Sequence, residues 1–202
     1  MLGRSLVGTL LLLCLAACYT CQHIPKVYPK YMQCAAPWGQ LKMGGGATIC
    51  QQGCAMTSLC MGLTGKGYTI GGKTIDPLVM NEWLIEHHGY YCAAGDCNNL
   101  NLTLPDTIGS HIGDIIFVSE NEKPADSLFL VKWLLEENIA IAHVRNQSHF
   151  VLVTGWEEPA RGKEVSSFSV NDPFYPEELY PYESMADIIL YKMKENNDND
   201  NN

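Results

Sequence analysis

Basic residues are scarce in this sequence. Thirteen Lys and Arg are scattered among 22 Asp and Glu, which leaves a formal net charge of -9 over 202 residues. Binding a phosphate backbone needs clustered Lys and Arg, and no such patch is visible, so nucleic acid is excluded as a partner class. Apolar runs of membrane-spanning length are missing too. The N-terminal run at residues 6–15 is shorter than the roughly 20 residues that a transmembrane helix needs, so no stable membrane insertion is expected. There is no internal repeat. No second close pair of Cys or His follows Cys50 and Cys54 at zinc-finger spacing, which puts zinc well behind disulfides as a role for the cysteines. Hydrophobic content is 47% with ten tyrosines, enough for one well-buried domain and too much for a disordered chain.

Arg4, the apolar run and the small residues Ala16, Ala17 and Cys18 read as a secretory signal peptide over residues 1–18. The expected location is secreted or an endomembrane lumen. The alternative is a lipid anchor through Cys18, because Leu15 to Cys18 spell a lipobox-like LAAC. Loss of Cys14 and Cys18 with the signal leaves Cys21, Cys34, Cys50, Cys54, Cys60, Cys92 and Cys97. An odd number in an oxidising compartment leaves at least one thiol unpaired or paired between chains. If Cys54 is that thiol, the other six can form three bridges.

The domain is expected over residues 19–193, followed by a disordered Asn/Asp-rich tail at 194–202. Residues 22–46, rich in Pro and Gly, read as a wrapping loop. A helix opens at Cys54, and residues 68–74 suggest a short hairpin or loop. Asp76-Pro77 starts a second helix by its N-cap and first-turn proline. Residues 90–99 read as a loop in which Cys92 and Cys97 can close a small ring, and Asn101-Leu102-Thr103 is a glycosylation sequon. A strand or short buried segment at 112–119 and a helix at 125–138 follow. Strands at Ile139–Val144, His149–Trp156 and 165–171 are joined by short connections that imply antiparallel neighbours. Ile188–Met193 is a last strand or the end of a short helix. The fold class is α+β, with helices first and an antiparallel sheet afterwards.

Chemistry centres on Gly53-Cys54. A thiol at a helix start sits where unpaired backbone N–H groups and the helix dipole favour the thiolate. Cys50, Cys54 and Cys60 read equally well as a disulfide cluster, and a Gly-Cys in a cysteine-rich secreted domain is ordinarily half of a bridge. His149 opens its strand after a polar turn, and Asp172 follows a strand and precedes Pro173. The start of one antiparallel strand lies beside the end of the next, so His149 and Asp172 are predicted neighbours. Taken singly, a strand-start His is a surface or capping residue and an Asp before Pro is a turn starter. Their joint order after Gly-Cys points to a nucleophile, a base and an orienting group. His143 in its apolar strand reads as a hydrogen-bonded core or edge residue. His87 and His88 end a helix, where the dipole accounts for them, and His111 has no assigned role. Trp38 is the expected cleft wall.

The segments MQCAAPWGQLKMG, TICQQGCAMTSLCMGL, SHFVLVTGW and VNDPFY, in that order, resemble the bacteriocin-processing-peptidase-like branch of the papain-like cysteine peptidases. The resemblance covers residues 31–173. It implies a papain-like fold, with N-terminal helices packed against a C-terminal antiparallel sheet, and hydrolysis of peptide or amide bonds in a peptide or protein substrate without metal or organic cofactor. By the same resemblance Cys54 is the nucleophile, His149 the general base and acid, and Asp172 the orienting residue. Gln33 is the oxyanion donor, helped by the Cys54 backbone N–H. Gln33 lies far upstream of Cys54, and a Cys34–Cys50 bridge would draw it close. With Cys34 paired elsewhere, Gln51 or Gln52 would compete for the role. Ala35-Ala36-Pro37-Trp38 departs from the family, where many relatives carry an Asp and a basic residue around the Trp. The alternative function is a catalytically silent papain-like binding module or a disulfide-stabilised secreted domain.

Overall fold

A computed structural model describes residues 27–108, 114–119, 123–157, 159 and 163–194. The expected signal segment, Cys21, His111 and residues 195–202 lie outside the described residues. Of the expected tail, Lys194 is described: its backbone N–H donates to the Asp114 carbonyl at 2.9 Å.

The helical half begins with a single turn, α1 (Ile49–Gln52), that the sequence reading did not resolve from the loop. Thr48 closes it with a capping box: its hydroxyl accepts from the Gln51 N–H, and Gln51 Oε1 accepts from the Thr48 N–H. Gly53 then separates α1 from α2 (Cys54–Gly65). A Cβ at Gly53 would lie 2.5 Å from the Ile49 carbonyl oxygen, so only glycine lets the two helices meet this tightly. A hairpin of β1 (Thr69–Ile70) and β2 (Lys73–Thr74) turns through Gly71 and Gly72 at positive φ, the turn geometry that favours glycine. α3 (Pro77–Glu86) starts where Asp76 accepts from the Val79 N–H and Pro77 fills the first turn.

Residues 90–99, expected as a loop, form most of a second hairpin instead, β3 (Tyr90–Ala93) and β4 (Asp96–Leu100). Its turn uses Ala94 and Gly95 at positive φ, and a Cys92–Cys97 disulfide ties the strands across it. The polar sequence hid this hairpin because the cross-strand bridge replaces the apolar alternation that marks a strand.

The sheet has six antiparallel strands in the order β5-β10-β6-β7-β8-β9. They are β5 (Ile115–Ser119), β6 (Ile139–Val144), β7 (His149–Trp156), β8 (Ser167–Asn171), β9 (Leu179–Pro181) and β10 (Ile188–Met193). The segment Ile188–Met193 is therefore a strand, and it sits between β5 and β6. On one face Ile139, Ile141, Leu152, Ile189 and Tyr191 pack with Met56, Leu59 and Met80 of α2 and α3. On the other, Ala140, Ala142, Val151, Val153, Ile188 and Leu190 pack with Leu130, Trp133 and Leu134 of α4 (Ser127–Leu135). Successive side chains of a strand point to opposite faces, so strands that are apolar at both odd and even positions need cover on both. Helices on one side alone would leave Ala142, Val151 and Val153 in water; α4 supplies the second layer, and the arrangement is α+β with helices on both faces of the sheet.

Candidate active site

The site lies where α2 begins and where β7 and β8 meet. Cys54 is the first residue of α2, half-buried and outside any disulfide. Gly53 provides no side-chain cap and the first turn carries no acidic residue, so the donor end of this helix is left facing the thiol. His149 opens β7, and Asp172 directly follows β8. The β7–β8 register sets Leu152 opposite Asn171, which brings the start of one strand to the end of the other. His149 Nε2 lies 2.7 Å from Asp172 Oδ1 in a buried contact. Cys54 lies near enough to the ring for its charge to bear on it. With Nε2 engaged by the carboxylate, Nδ1 is the ring nitrogen left for a second partner.

Asp172 has no solvent exposure. Besides the His149 ring it accepts the backbone N–H groups of Phe174 and Tyr175 at 2.8 Å each on Oδ1, and the Tyr180 hydroxyl at 2.9 Å on Oδ2. Burial pushes its pKa up, but the ring and the two N–H groups outweigh burial and hold the carboxyl below its usual range. For His149 burial opposes the charge, while the hydrogen bonds and charges of Asp172 and Cys54 favour it and raise the pKa to about 9. A value of about 9 leaves the ring protonated at neutral pH, with Asp172 as its anionic partner.

Gln33 is 3% exposed and lies close to the helix start. Its Nε2 donates to the Cys50 carbonyl at 2.8 Å, and a second contact, to the Ile49 carbonyl, is long at 3.4 Å. One amide hydrogen is thus firmly held and the other is weakly engaged. Its backbone N–H donates to the Pro173 carbonyl at 2.8 Å, so the Gln33 loop is tied to the residue after Asp172. Cys34 is bonded to Cys50, which fastens this loop to α1 just ahead of Cys54. Gln51 accepts through Oε1 in the capping box, and Gln52 Nε2 donates to Asp96 Oδ2 at 3.1 Å.

Three side chains of the site, Arg145, Tyr175 and Tyr180, were given no role in the sequence reading. Arg145 Nε donates to the Tyr180 hydroxyl at 3.0 Å, its guanidinium pairs with Glu177, and it lies 3.7 Å above the Tyr175 ring. Tyr175 in turn stands edge-on to His149 with ring centroids 5.1 Å apart. Arg145, Asn146 and Gln147 form the β6–β7 turn with three consecutive positive φ values, a conformation that costs each non-glycine residue on the order of 1 kcal/mol. The polar turn ahead of His149 was the one signal that could have drawn attention to Arg145. Tyr180 arrives from β9, and nothing local in its sequence marks it.

Next to Cys54 is a cavity of about 390 Å³ between α2 and the disulfide-closed β3–β4 hairpin. Trp38, expected as a cleft wall, is not among its lining residues. The Trp38 indole instead packs edge-on against Tyr31 and donates to the Met32 carbonyl at 2.8 Å. The expected third disulfide also needs correction. Cys60 is a free thiol with no solvent exposure, packed into the core under α2, where burial raises its pKa well above the ordinary value. The α2 periodicity sets Ser58 and Gly62 against the sheet and turns Cys60 to the opposite side, towards Tyr31, Tyr90 and the start of α3 at Asp76, so two thiols among the described residues are unpaired.

Peptide mapping without reductant is expected to recover Cys34 linked to Cys50 and Cys92 linked to Cys97. Iodoacetamide should modify Cys54 in the native protein and Cys60 only after unfolding. Recovery of Cys54 in a bridge would rule out a free thiol at the helix start.

Among the described residues no group of three or more His, Cys, Asp and Glu could hold a metal ion, and no helix is long and apolar enough to cross a membrane. Compared with protein-family models, curated proteins and solved structures, the chain finds no match.

Proposed function

We propose that this protein is a secreted, papain-like cysteine peptidase that hydrolyses peptide or amide bonds through Cys54, His149 and Asp172. The observation that carries the reading is the buried 2.7 Å contact of Asp172 with His149, close to the unbridged Cys54 at the start of a helix. Two intact disulfides among the described residues are compatible with an oxidising compartment.

In the proposed cycle the Cys54 thiolate attacks the carbonyl carbon of the scissile amide, forming a C–S bond as the carbonyl electrons move to oxygen. The Cys54 backbone N–H and the weakly engaged hydrogen of Gln33 Nε2 are the donors for that oxyanion. As the intermediate collapses, the C–N bond breaks and His149 gives its Nδ1 proton to the leaving amine. Neutral His149 then takes a proton from water, whose oxygen attacks the thioester. Collapse releases the acid and restores the thiolate–imidazolium pair. Asp172 stays ionised throughout and holds the ring by Nε2, so that Nδ1 faces the sulfur.

Hydrolysis of an unbiased peptide library, followed by mass spectrometry with the wild-type protein and a Cys54 variant, tests the reading. Cleavage that persists unchanged without the thiol would overturn it.

Tyr180 acts through Asp172 as a positioning residue. Among the described residues it is the one side chain donating to Asp172 Oδ2, so Tyr180→Phe leaves a buried carboxylate oxygen short of its donor. The carboxyl should become harder to ionise, and the acid limb of the rate of Cys54 alkylation against pH should move up by roughly one pH unit. An acid limb identical to that of the wild type would show that Tyr180 serves packing alone.

A further inference from the structure

The cavity beside Cys54 has an asymmetric charge pattern. Met56, Leu100, Leu102, Phe150 and Ile189 give it an apolar wall, and among the described residues no Lys or Arg lines it and the one lining carboxylate is Asp96, at the tip of the β3–β4 hairpin. The Asn98 backbone N–H and Nδ2 donate to Asp96 Oδ1 at 2.8 and 2.9 Å, and Gln52 Nε2 donates to Oδ2 at 3.1 Å. Gln52 immediately precedes Gly53-Cys54, so this last bond fastens the carboxylate to the chain that carries the thiol. Those donors hold the Asp96 pKa below its usual range.

His143 also lines the cavity, stacked on Phe150 with centroids 3.9 Å apart. Its Nδ1 lies 3.1 Å from Asp187 Oδ2. The carboxylate can only accept, so Nδ1 carries the proton. A neutral ring leaves Nε2 as an acceptor and the pair net negative; a protonated ring makes the pair neutral. In neither state does the pair bring net positive charge.

We infer that this cavity selects peptide substrates by a long cationic side chain, lysine or arginine, whose methylenes lie on the Met56–Leu100–Phe150 wall while its charged end meets Asp96. The inference rests on the peptidase reading and adds the substrate class to it. Lysine and arginine suit such a site because their stems bury against apolar surface while the head stays partly wet. A glutamate side chain would bring a second carboxylate to Asp96, and that repulsion discriminates as effectively as the attraction. Asp96 is half-buried and still reached by solvent, so the preference is moderate and weakens with salt.

Three peptidyl diazomethyl ketones test this in the full-length protein. They differ only in carrying lysine, norleucine or glutamate, placed in turn at each of the two positions preceding the ketone. Attachment to Cys54 is timed by intact-protein mass spectrometry. At one of the two positions the lysine reagent should react about five-fold faster than its uncharged isostere, norleucine, and the glutamate reagent slowest. Asp96→Asn should bring lysine and norleucine to parity, each rate being referred to iodoacetamide alkylation of the same variant. Equal rates for the three reagents at both positions, or a lysine preference that survives Asp96→Asn, would overturn the inference while leaving the peptidase reading standing. A Cys54 inert to all three ketones and to iodoacetamide would overturn both.

Discussion

Cys54→Ala should abolish hydrolysis, lowering turnover by on the order of 10⁴-fold or more, because it removes the nucleophile that forms the acyl intermediate in the proposed cycle. Folding should be almost untouched. The side chain is half-buried at the end of a helix, makes no disulfide, and is replaced by the best helix former, so stability should stay within about 1 kcal/mol of wild type. The combination separates a nucleophile from a structural cysteine: loss of a bridging or packing sulfur would lower the denaturation midpoint together with activity. Urea unfolding and library hydrolysis measured on the same preparation decide the matter. A Cys54→Ala protein that still cleaves at the wild-type rate would end the mechanism, and one that unfolds early would return Cys54 to a structural role.

Asp172→Ala should damage both properties at once. The carboxylate is fully buried and accepts from four donors: the His149 ring, the Phe174 and Tyr175 N–H groups and the Tyr180 hydroxyl. Removing it strands these groups away from water, at a cost of about 3–5 kcal/mol. Activity should fall by roughly 10²- to 10⁴-fold, less than for Cys54→Ala, since the thiol and the oxyanion donors remain. Asp172→Asn retains an acceptor oxygen and should keep more of the stability while losing the charge that supports the imidazolium.

The same pair sets the pH dependence. The His149 pKa is raised from 6.5 to about 9 in the folded protein, so its contribution to stability is complete below pH 6.5 and is lost as the pH rises through about 9. The Asp172 pKa is lowered from 3.8, so its contribution is present above that value and is lost as the pH falls through the lower folded value. Wild-type stability should therefore show a plateau from weakly acid to neutral pH. In Asp172→Ala the alkaline decline should begin at lower pH, because the ring has lost its carboxylate. Chemical denaturation repeated across the pH range would show it, and an alkaline limb that coincides with the wild type would mean that the pair is not what stabilises the charged ring.

Much of the site could be read from the chain because its parts sit at the ends of regular elements. A glycine before a helix start, a histidine at the first position of one strand and an aspartate after the last position of the next are positions that local sequence marks, and antiparallel pairing converts sequence order into proximity. Gln33 was harder, since its approach to α1 depends on a disulfide whose connectivity spacing alone does not give. Cys60 was misassigned to a bridge because cysteine counting carries no direction; its burial comes from the Tyr31 loop and the start of α3 packing on the side of α2 away from the sheet.

What the sequence determined by itself is the α+β class, the acidic surface charge, the helix start at Cys54 and the strand ends that carry His149 and Asp172. These follow from local propensity and from the two-residue and 3.6-residue periods. The tertiary structure alone decided that helices cover both faces of the sheet and that residues 90–99 form a disulfide-closed wall. It also decided that Arg145 and Tyr180 brace Asp172 from behind. Each of those contacts joins residues from separate elements, and which partners meet is fixed by how the layers pack rather than by any pattern along the chain.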